Sequence, residues 1–502
     1  MSQLSRREFG HYAGALALGM STTRALGAGS PTSEASPQTG RSSALSFPQG
    51  FRWGVATSAY QIEGAVHEDG RGLSIWDTYA HTPGKIEAGH NADVANDHYH
   101  RYREDVALMK ELGVKVYRFS IAWPRIFPTG TGSPNGKGVD FYSRLVDELL
   151  AAGIEPFPTL YHWDLPQALQ DKYGGWQSRE TVNAFADYSG YVARKLSDRV
   201  SRFFTLNEIG TFVDRGHAGF EVQVGGENVP LESAPGLRLP PAELNQVRFH
   251  AVLAQALSVQ AIHAMGKKGT QCGPADNVST AVPVIDEPEH VRAAELATRE
   301  LNATYLTVMM EGKYPETFLA RAGKHAPRVT DEDARILATP VDFIGINVYR
   351  PAVYVLPSAQ LPGYQSIPFN VSHPRMQSSW HLLGPEVMYW APRIVHSLWK
   401  PNAIYITENG CAASDEPSED GAVYDSDRNM FTRNCLSHLQ RATAEGVPVK
   451  GYFHWTLMDN FEWSAGYGKR FGLVYVDFKT QKRTPKLSAA YFREAAWRNA
   501  VV

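Results

Sequence analysis

Cysteine is scarce: Cys272, Cys411 and Cys435 are the three in 502 residues. None stands in a C-x-x-C pair, so a disulfide framework and a four-thiolate zinc site are both excluded, and one bridge is the most they allow. Long apolar runs are missing too. None approaches the roughly 18 to 20 residues that cross a bilayer, so no membrane insertion is expected. Neither charge is in excess, since 49 Lys and Arg face 52 Asp and Glu for a formal net charge of -3. The electrostatic footprint of a nucleic-acid binder is therefore absent, and a neutral small molecule is the better partner. No Gly-rich phosphate loop follows a strand candidate, so no nucleotide cofactor is expected. Asp97-His98-Tyr99-His100 holds two imidazoles, but two positions apart on a helix they face different sides, and no metal site is expected. What is plentiful is core material, with 43% hydrophobic residues, 11 Trp and 23 Tyr, enough for a large globular core.

The first 45 positions differ from the rest. Ser5-Arg6-Arg7-Glu8-Phe9, a weakly apolar stretch from Tyr12 to Met20, and the small residues Ala25, Gly27 and Ala28 resemble a twin-arginine export signal over residues 1–28. Residues 29–45, rich in Ser, Thr, Pro and Gly, read as a flexible linker. Removing both takes away Arg6, Arg7, Arg24 and Arg41 against Glu8 and Glu34, which leaves the remainder slightly more acidic. The implied location is periplasmic or extracellular.

Residues 46–502 carry no composition break or fixed-period repeat and read as one domain. Short apolar runs alternate with helical patterns. The strand candidates are 51–56, 114–119, 154–159, 200–206, 269–273, 341–346, 403–407 and 451–454, with helices expected over 101–112 and 140–152, the second stopped by Gly153. Eight strands alternating with helices close into a single (β/α)8 TIM barrel, and the length implies elaborated βα loops. Each candidate runs into a polar or aromatic cluster at its C-terminal end, the face on which such barrels place their chemistry. Glu208 and Glu408 follow the fourth and seventh strands directly. Paired carboxylates suit glycoside cleavage, and the Trp, Tyr, His, Gln and Asn around them suit a sugar's apolar faces and hydroxyls.

Seven motifs sharpen this. They are Phe51-Arg-Trp-Gly-Val-Ala-Thr-Ser-Ala-Tyr-Gln-Ile-Glu-Gly64, Tyr117-Arg-Phe-Ser-Ile-Ala-Trp-Pro-Arg-Ile126, Tyr161-His-Trp-Asp-Leu-Pro166, Thr205-Leu-Asn-Glu208, Asp342-Phe-Ile-Gly-Ile-Asn347, Ile406-Thr-Glu-Asn-Gly410 and Asp459-Asn-Phe-Glu-Trp463. In that order they resemble glycoside hydrolase family 1, from about Phe47 to Tyr491. The resemblance implies a retaining, exo-acting β-glycosidase, foremost a β-glucosidase. Glu208 would be its general acid/base and Glu408 its nucleophile, about 5 to 5.5 Å apart. Arg118 and Tyr349 would contact the nucleophile, and Asn207 the sugar 2-hydroxyl. Gln61, His162, Trp163, Asn347, Glu462 and Trp463 would bind the glycone, with Trp455 as a stacking platform and Phe471 near the 6-position. Arg118 is expected to keep Glu408 ionised, while poor solvation and its carboxylate neighbour keep Glu208 protonated. Lys469 and Arg470 read as loop or helix-end charge. A transglycosylase and a non-catalytic sugar-binding barrel are the alternatives.

Departures from the family pattern lie on the leaving-group side. The usual Pro after the acid/base Glu is Ile209, the common aromatic after it is Gly210, and the frequent Trp-Phe-Leu-Asp-Pro near Asn302 is replaced by Ala-Thr-Tyr-Leu-Thr-Val, up to Val308.

Overall fold

Parallel strands bonded in chain order, the last to the first, need no edge. A computed structural model describes residues 45–224 and 227–502. The strands are Arg52–Ala56 (β1), Val116–Ser120 (β2), Glu155–Tyr161 (β3), Arg202–Asn207 (β4), Gln271–Asn277 (β5), Ile344–Asn347 (β6), Ile404–Asn409 (β7) and Val449–Trp455 (β8). Register from Arg52–Gly451 to Ala56–Trp455 joins β8 to β1 and closes the barrel. The chain returns through helices His98–Glu111, Gly136–Ala151, Arg179–Leu196, Pro241–Met265, Pro288–Leu301, Val387–Trp399, Ser426–Ala444 and Leu487–Arg498. This is the expected (β/α)8 barrel. Its loops are elaborated as expected, with a hairpin of Phe220–Val224 and Glu227–Leu231 after β4 and a three-stranded sheet of Ala281–Pro283, Val353–Pro357 and Tyr364–Ile367 after β5 and β6. The expected export signal, and the linker but for residue 45, lie outside the described residues.

Period-2 alternation sorts the side chains. In β2, Tyr117 and Phe119 join the layer under the helices, while Val116 belongs to the barrel interior. Inside, the rings of Phe157, Phe204, Phe343, Tyr405 and Phe453 interdigitate, with Phe204–Phe343 at 5.3 Å and Phe157–Phe453 at 5.6 Å. So many rings require small residues opposite. A β-carbon on Gly54 would meet the Phe453 ring at 2.6 Å, and one on Gly345 the Phe204 ring at 2.8 Å.

Helix ends fall within a few residues of expectation, and Gly153 takes φ 77° just past Ala151. All the barrel strands but β1 run further than expected at their C-terminal ends. Asn207, Asp276, Asn277, Asn347, Glu408, Asn409 and Trp455 are strand residues, because the ladder is made by backbone groups and continues to the rim, where side chains face the mouth and need not be apolar. Register shifts interrupt β4 between Phe204 and Asn207 and β7 after Ile406. Such irregularities re-aim side chains at a barrel rim, and here they fall just before the two glutamates.

The three cysteines are buried and free. His98 is buried with Nδ1 2.7 Å from Asp105, whereas His100 lies outside with Asp97 and Glu68, so the two do part as expected. Among the described residues no helix is long and apolar enough to cross a membrane.

Candidate active site

Glu208 leaves β4 with φ 47°, in the left-handed region. Its Oε1 accepts from the Asn347 amide at 2.8 Å, and its Oε2 from the Thr211 hydroxyl at 2.7 Å. Glu408, within β7, accepts from Arg118 Nη1 at Oε1 and from the Tyr349 hydroxyl at Oε2, each at 2.7 Å. One network joins the two carboxyls, because Arg118 Nη2 and the Asn347 amide both donate to Asn207 Oδ1, at 2.6 and 3.2 Å. Arg118 is fully buried, with Nε on Thr159 and Nη1 also on the Thr407 carbonyl. A buried guanidinium is tolerable when its donors are met and a carboxylate faces it.

Burial sets the electrostatics. It pushes the Glu408 carboxyl up to about 7; the Arg118 charge opposes this, the Glu208 charge adds to it, and the hydrogen bonds from Arg118 and Tyr349 oppose it further. Arg118 does favour the ionised form, as expected, but loss of solvent outweighs the ion pair. Burial, reinforced by Glu408, raises Glu462 to about 8, and the hydrogen bond from Gln61 opposes it. The Tyr349 phenol is raised well above its usual range by burial and by Glu408, so it stays a donor. Burial and then the Arg118 charge drive His162 well below 6.5, so its ring is neutral. Its Nε2 faces the Asn207 amide at 3.1 Å, a group that can only donate, which puts the ring proton on Nδ1. That buried atom has no partner among the described residues.

A cleft of about 480 Å³ opens over these groups, and Glu208, Glu408, Glu462, His162, Trp163, Asn347, Tyr349, Trp455, Trp463 and Phe471 all line it. Trp163 and Trp463, at φ 81° and 51°, pack with ring centroids 4.4 Å apart. Glu208, Trp163 and Trp463 thus hold left-handed backbone that costs non-glycine residues on the order of 1 to 3 kcal/mol each and persists where surrounding packing enforces it.

Two expected contacts, Gln61 and Asn207, sit behind this lining. Gln61 is fully buried, donates to the Phe461 carbonyl at 2.8 Å and Glu462 at 3.3 Å, and accepts from Ser58. It does not line the cleft, and its amide holds Glu462 in place. Asn207 supports His162 and Arg118 from below. Asn347 reaches the cleft, but its amide is engaged with Glu208 and Asn207 and its carbonyl with Thr407. Of the basic pair, Arg470 is bound to Asp459 at 2.7 Å, while Lys469 reaches the cleft lining, which loop charge alone did not foretell.

Sequence reasoning missed Thr211, Trp76, Arg215 and Arg350, which also line the cleft. Thr211 had a signal, lying three residues past Glu208 on a turn. The departures acquire a physical sense. Ile209, unlike proline, has an N–H, and it donates to Asp276 at 3.0 Å. Gly210 lies against the Tyr305 ring, part of the replaced Asn302 segment.

The profile of Glycosyl hydrolase family 1 matches residues 43–501. Beta-glucosidase A of Thermotoga maritima is 41% identical over 91% of this chain and 98% of its own length. Beta-glucosidase 6 of Oryza sativa subsp. japonica is 41% identical over 89% of this chain and 90% of its own. The solved structure of the family 1 b-glucosidase from Thermotoga maritima covers 92% of this chain and 100% of its own, at 39% identity and a TM-score of 0.81. In another structure the Thermotoga maritima beta-glucosidase is in complex with deoxynojirimycin, with a TM-score of 0.80 and 39% identity, over 91% of this chain and 100% of its own. With its barrel, its motifs in order and a family profile spanning nearly the whole domain, the chain belongs to glycosyl hydrolase family 1.

Proposed function

We propose that this chain is an exported, retaining, exo-acting β-glucosidase that releases terminal β-linked glucose from short oligosaccharides or from aryl and alkyl glucosides. The observation that carries the reading is the pair of buried carboxyls at the ends of β4 and β7, held in one hydrogen-bond network at the floor of a tryptophan-lined cleft. Glu408 attacks the anomeric carbon as Glu208 gives its proton to the departing glycosidic oxygen, which leaves a glycosyl ester on Glu408 and the free alcohol. Glu208 then takes a proton from water as that water attacks the anomeric carbon, the ester bond breaks, and Glu408 is regenerated. Two inversions give net retention. Tyr349 and Arg118 orient Glu408, and the neutral His162 offers its Nδ1–H to a sugar hydroxyl. Glu462, aligned by Gln61, is the glycone's acceptor beside Trp463, with Trp455 under the ring and Phe471 near the 6-position. The names of the relatives support glucose as the glycone.

Export rests on Arg6-Arg7 and the small residues that follow, and on where the barrel begins. Leu45, the last linker residue, accepts from the Val501 N–H at 3.0 Å, and Phe47 exchanges backbone and side-chain hydrogen bonds with Asn499, so the domain is tied to its own C-terminus from the end of the linker onward.

Incubation with an activated 2-deoxy-2-fluoro-β-glucoside, then intact mass and peptide mapping, tests the reading. A stoichiometric adduct on Glu408 is expected. No adduct with gluco, galacto or fuco reagents would favour a sugar-binding barrel without turnover.

A further inference from the structure

Among the described residues, two guanidinium groups that line the cleft are in no ion pair. Arg215 ends the π-helical turn Thr211–Arg215, which carries the chain outward from Glu208, and Arg350 directly follows Tyr349 at the end of β6. Both line the cleft and are partly exposed. The Arg350 guanidinium makes one hydrogen bond, to the Pro351 carbonyl at 2.9 Å, and that of Arg215 makes none among the described residues. Of the carboxylates that line the cleft, Glu408 pairs with Arg118 at 2.7 Å and Glu232 with Lys85 and Arg238 at 2.6 and 3.0 Å, while Glu208 and Glu462 are held by the neutral donors Asn347, Thr211 and Gln61. Burial lowers the basicity of both arginines, and Arg215 lowers that of Arg350 further, so the two charges sense each other across poorly solvated space.

Position tells which part of a substrate they would meet. On the proposed reading the sugar would lie over Glu408 with Glu462, Trp455 and Phe471 around it, and the acid Glu208 between sugar and leaving group. Arg215 comes seven residues beyond Glu208 along the outgoing chain, and the neighbouring wall includes Trp380, which is 42% exposed. A planar guanidinium matches a carboxylate in a two-point fork that a neutral amide cannot reproduce. Resting on the β-glucosidase reading, we propose that Arg215 and Arg350 form an anion-reading subsite on the leaving-group side, which selects β-glucosides whose aglycone bears a carboxylate. The rival role for Arg215 is general: a counter-charge to Glu208 and Glu462, both of which it senses.

The test compares the β-glucosides of 3-(4-hydroxyphenyl)propanoic acid and of its primary amide. Two methylenes insulate the phenol from the end group, so the leaving groups match and differ only in remote charge. At low salt the mature enzyme should prefer the acid in kcat/KM by about 10-fold or more, the size of a charge-assisted hydrogen bond. That preference should shrink with added salt and fall toward unity in Arg215→Gln/Arg350→Gln. A wild-type ratio near one, or a ratio the double variant leaves unchanged, would overturn the subsite. Equal loss on both substrates would assign Arg215 to the counter-charge role instead. Turnover of the amide glucoside reports separately on the β-glucosidase reading. Calorimetric binding of the free acid and amide to the wild-type enzyme, and to each single variant should the double fail to fold, reads the subsite without turnover: tighter binding of the acid, lost on substitution, is expected, and equal binding would sink it.

Discussion

The Tyr305 ring lies 3.3 Å from the point where a β-carbon on Gly210 would sit. Its hydroxyl donates to Asp214 at 2.9 Å, and Asp214 also pairs with Arg248 at 2.7 Å. Two departures from the family pattern, distant in sequence, are therefore one packing solution. The aromatic residue commonly found after position 209 is gone, and an aromatic ring arrives from another segment to cover the same place.

This predicts a coupled pair. Gly210→Trp should destabilise the barrel by about 1 to 3 kcal/mol through overpacking, and Tyr305→Ala in the same chain should restore part of that. Urea unfolding of both single variants and the double variant measures the coupling, expected between about 0.5 and 3 kcal/mol. Additive losses would separate the two sites.

Glu408→Gln should reduce turnover of all β-glucosides to background while leaving the thermal midpoint close to wild type. Glutamine still offers Arg118 an acceptor, so the buried guanidinium keeps a partner. Glu408→Ala should also be inactive but less stable, since it strands that charge. Retained activity in either would remove the nucleophile assignment.

Glu208→Ala should harm substrates with poor leaving groups most, by a factor on the order of 10² to 10⁴, and activated aryl glucosides far less. A plot of log kcat/KM against leaving-group acidity should steepen. Equal losses across that series would count against the acid role.

Glu408 must be ionised to attack, and burial holds it up to about 7. The acid limb of kcat/KM should therefore lie near neutrality, with activity rising as pH passes through it. Tyr349→Phe removes a donor that favours the anion, so the limb should move to higher pH. A limb that moves down or stays put would show that another group sets it.

Burial, followed by the Glu208 charge, raises Asp276 to about 8. The folded state keeps a proton that the unfolded chain releases near 4, so this group subtracts stability as pH rises from about 4 to about 8. Asp276→Asn keeps the Oδ1 that accepts from the Ile209 and Asn277 N–H groups and removes the titration. The variant should gain on wild type across that window, by on the order of 1 kcal/mol per pH unit at most. Thermal midpoints at pH 5 and pH 8 would show it; a pH-independent difference would refute it.

Much of the site was legible because barrel chemistry sits at strand ends, and strand ends are short contiguous words. Thr205-Leu-Asn-Glu208 and Ile406-Thr-Glu-Asn-Gly410 each carry a strand's last turns and the group it delivers. Legibility failed where a role depends on what a side chain meets. Gln61 belongs to a motif, yet the fold engages both ends of its amide with Ser58, Phe461 and Glu462. Lys469 and Arg470 are adjacent, yet the carboxylate of Asp459 takes only the second.

The sequence by itself determined the alternation of eight strands and helices, the family, and the two glutamates brought to one face, because periodicity and local motifs are properties of neighbouring residues. Only the tertiary structure decided that burial outweighs Arg118 at Glu408, that Tyr305 covers Gly210, and that Arg215 and Arg350 share a cleft in which neither is ion-paired among the described residues. Those facts arise from solvent exclusion and from contacts between residues tens to hundreds of positions apart, which no local pattern encodes.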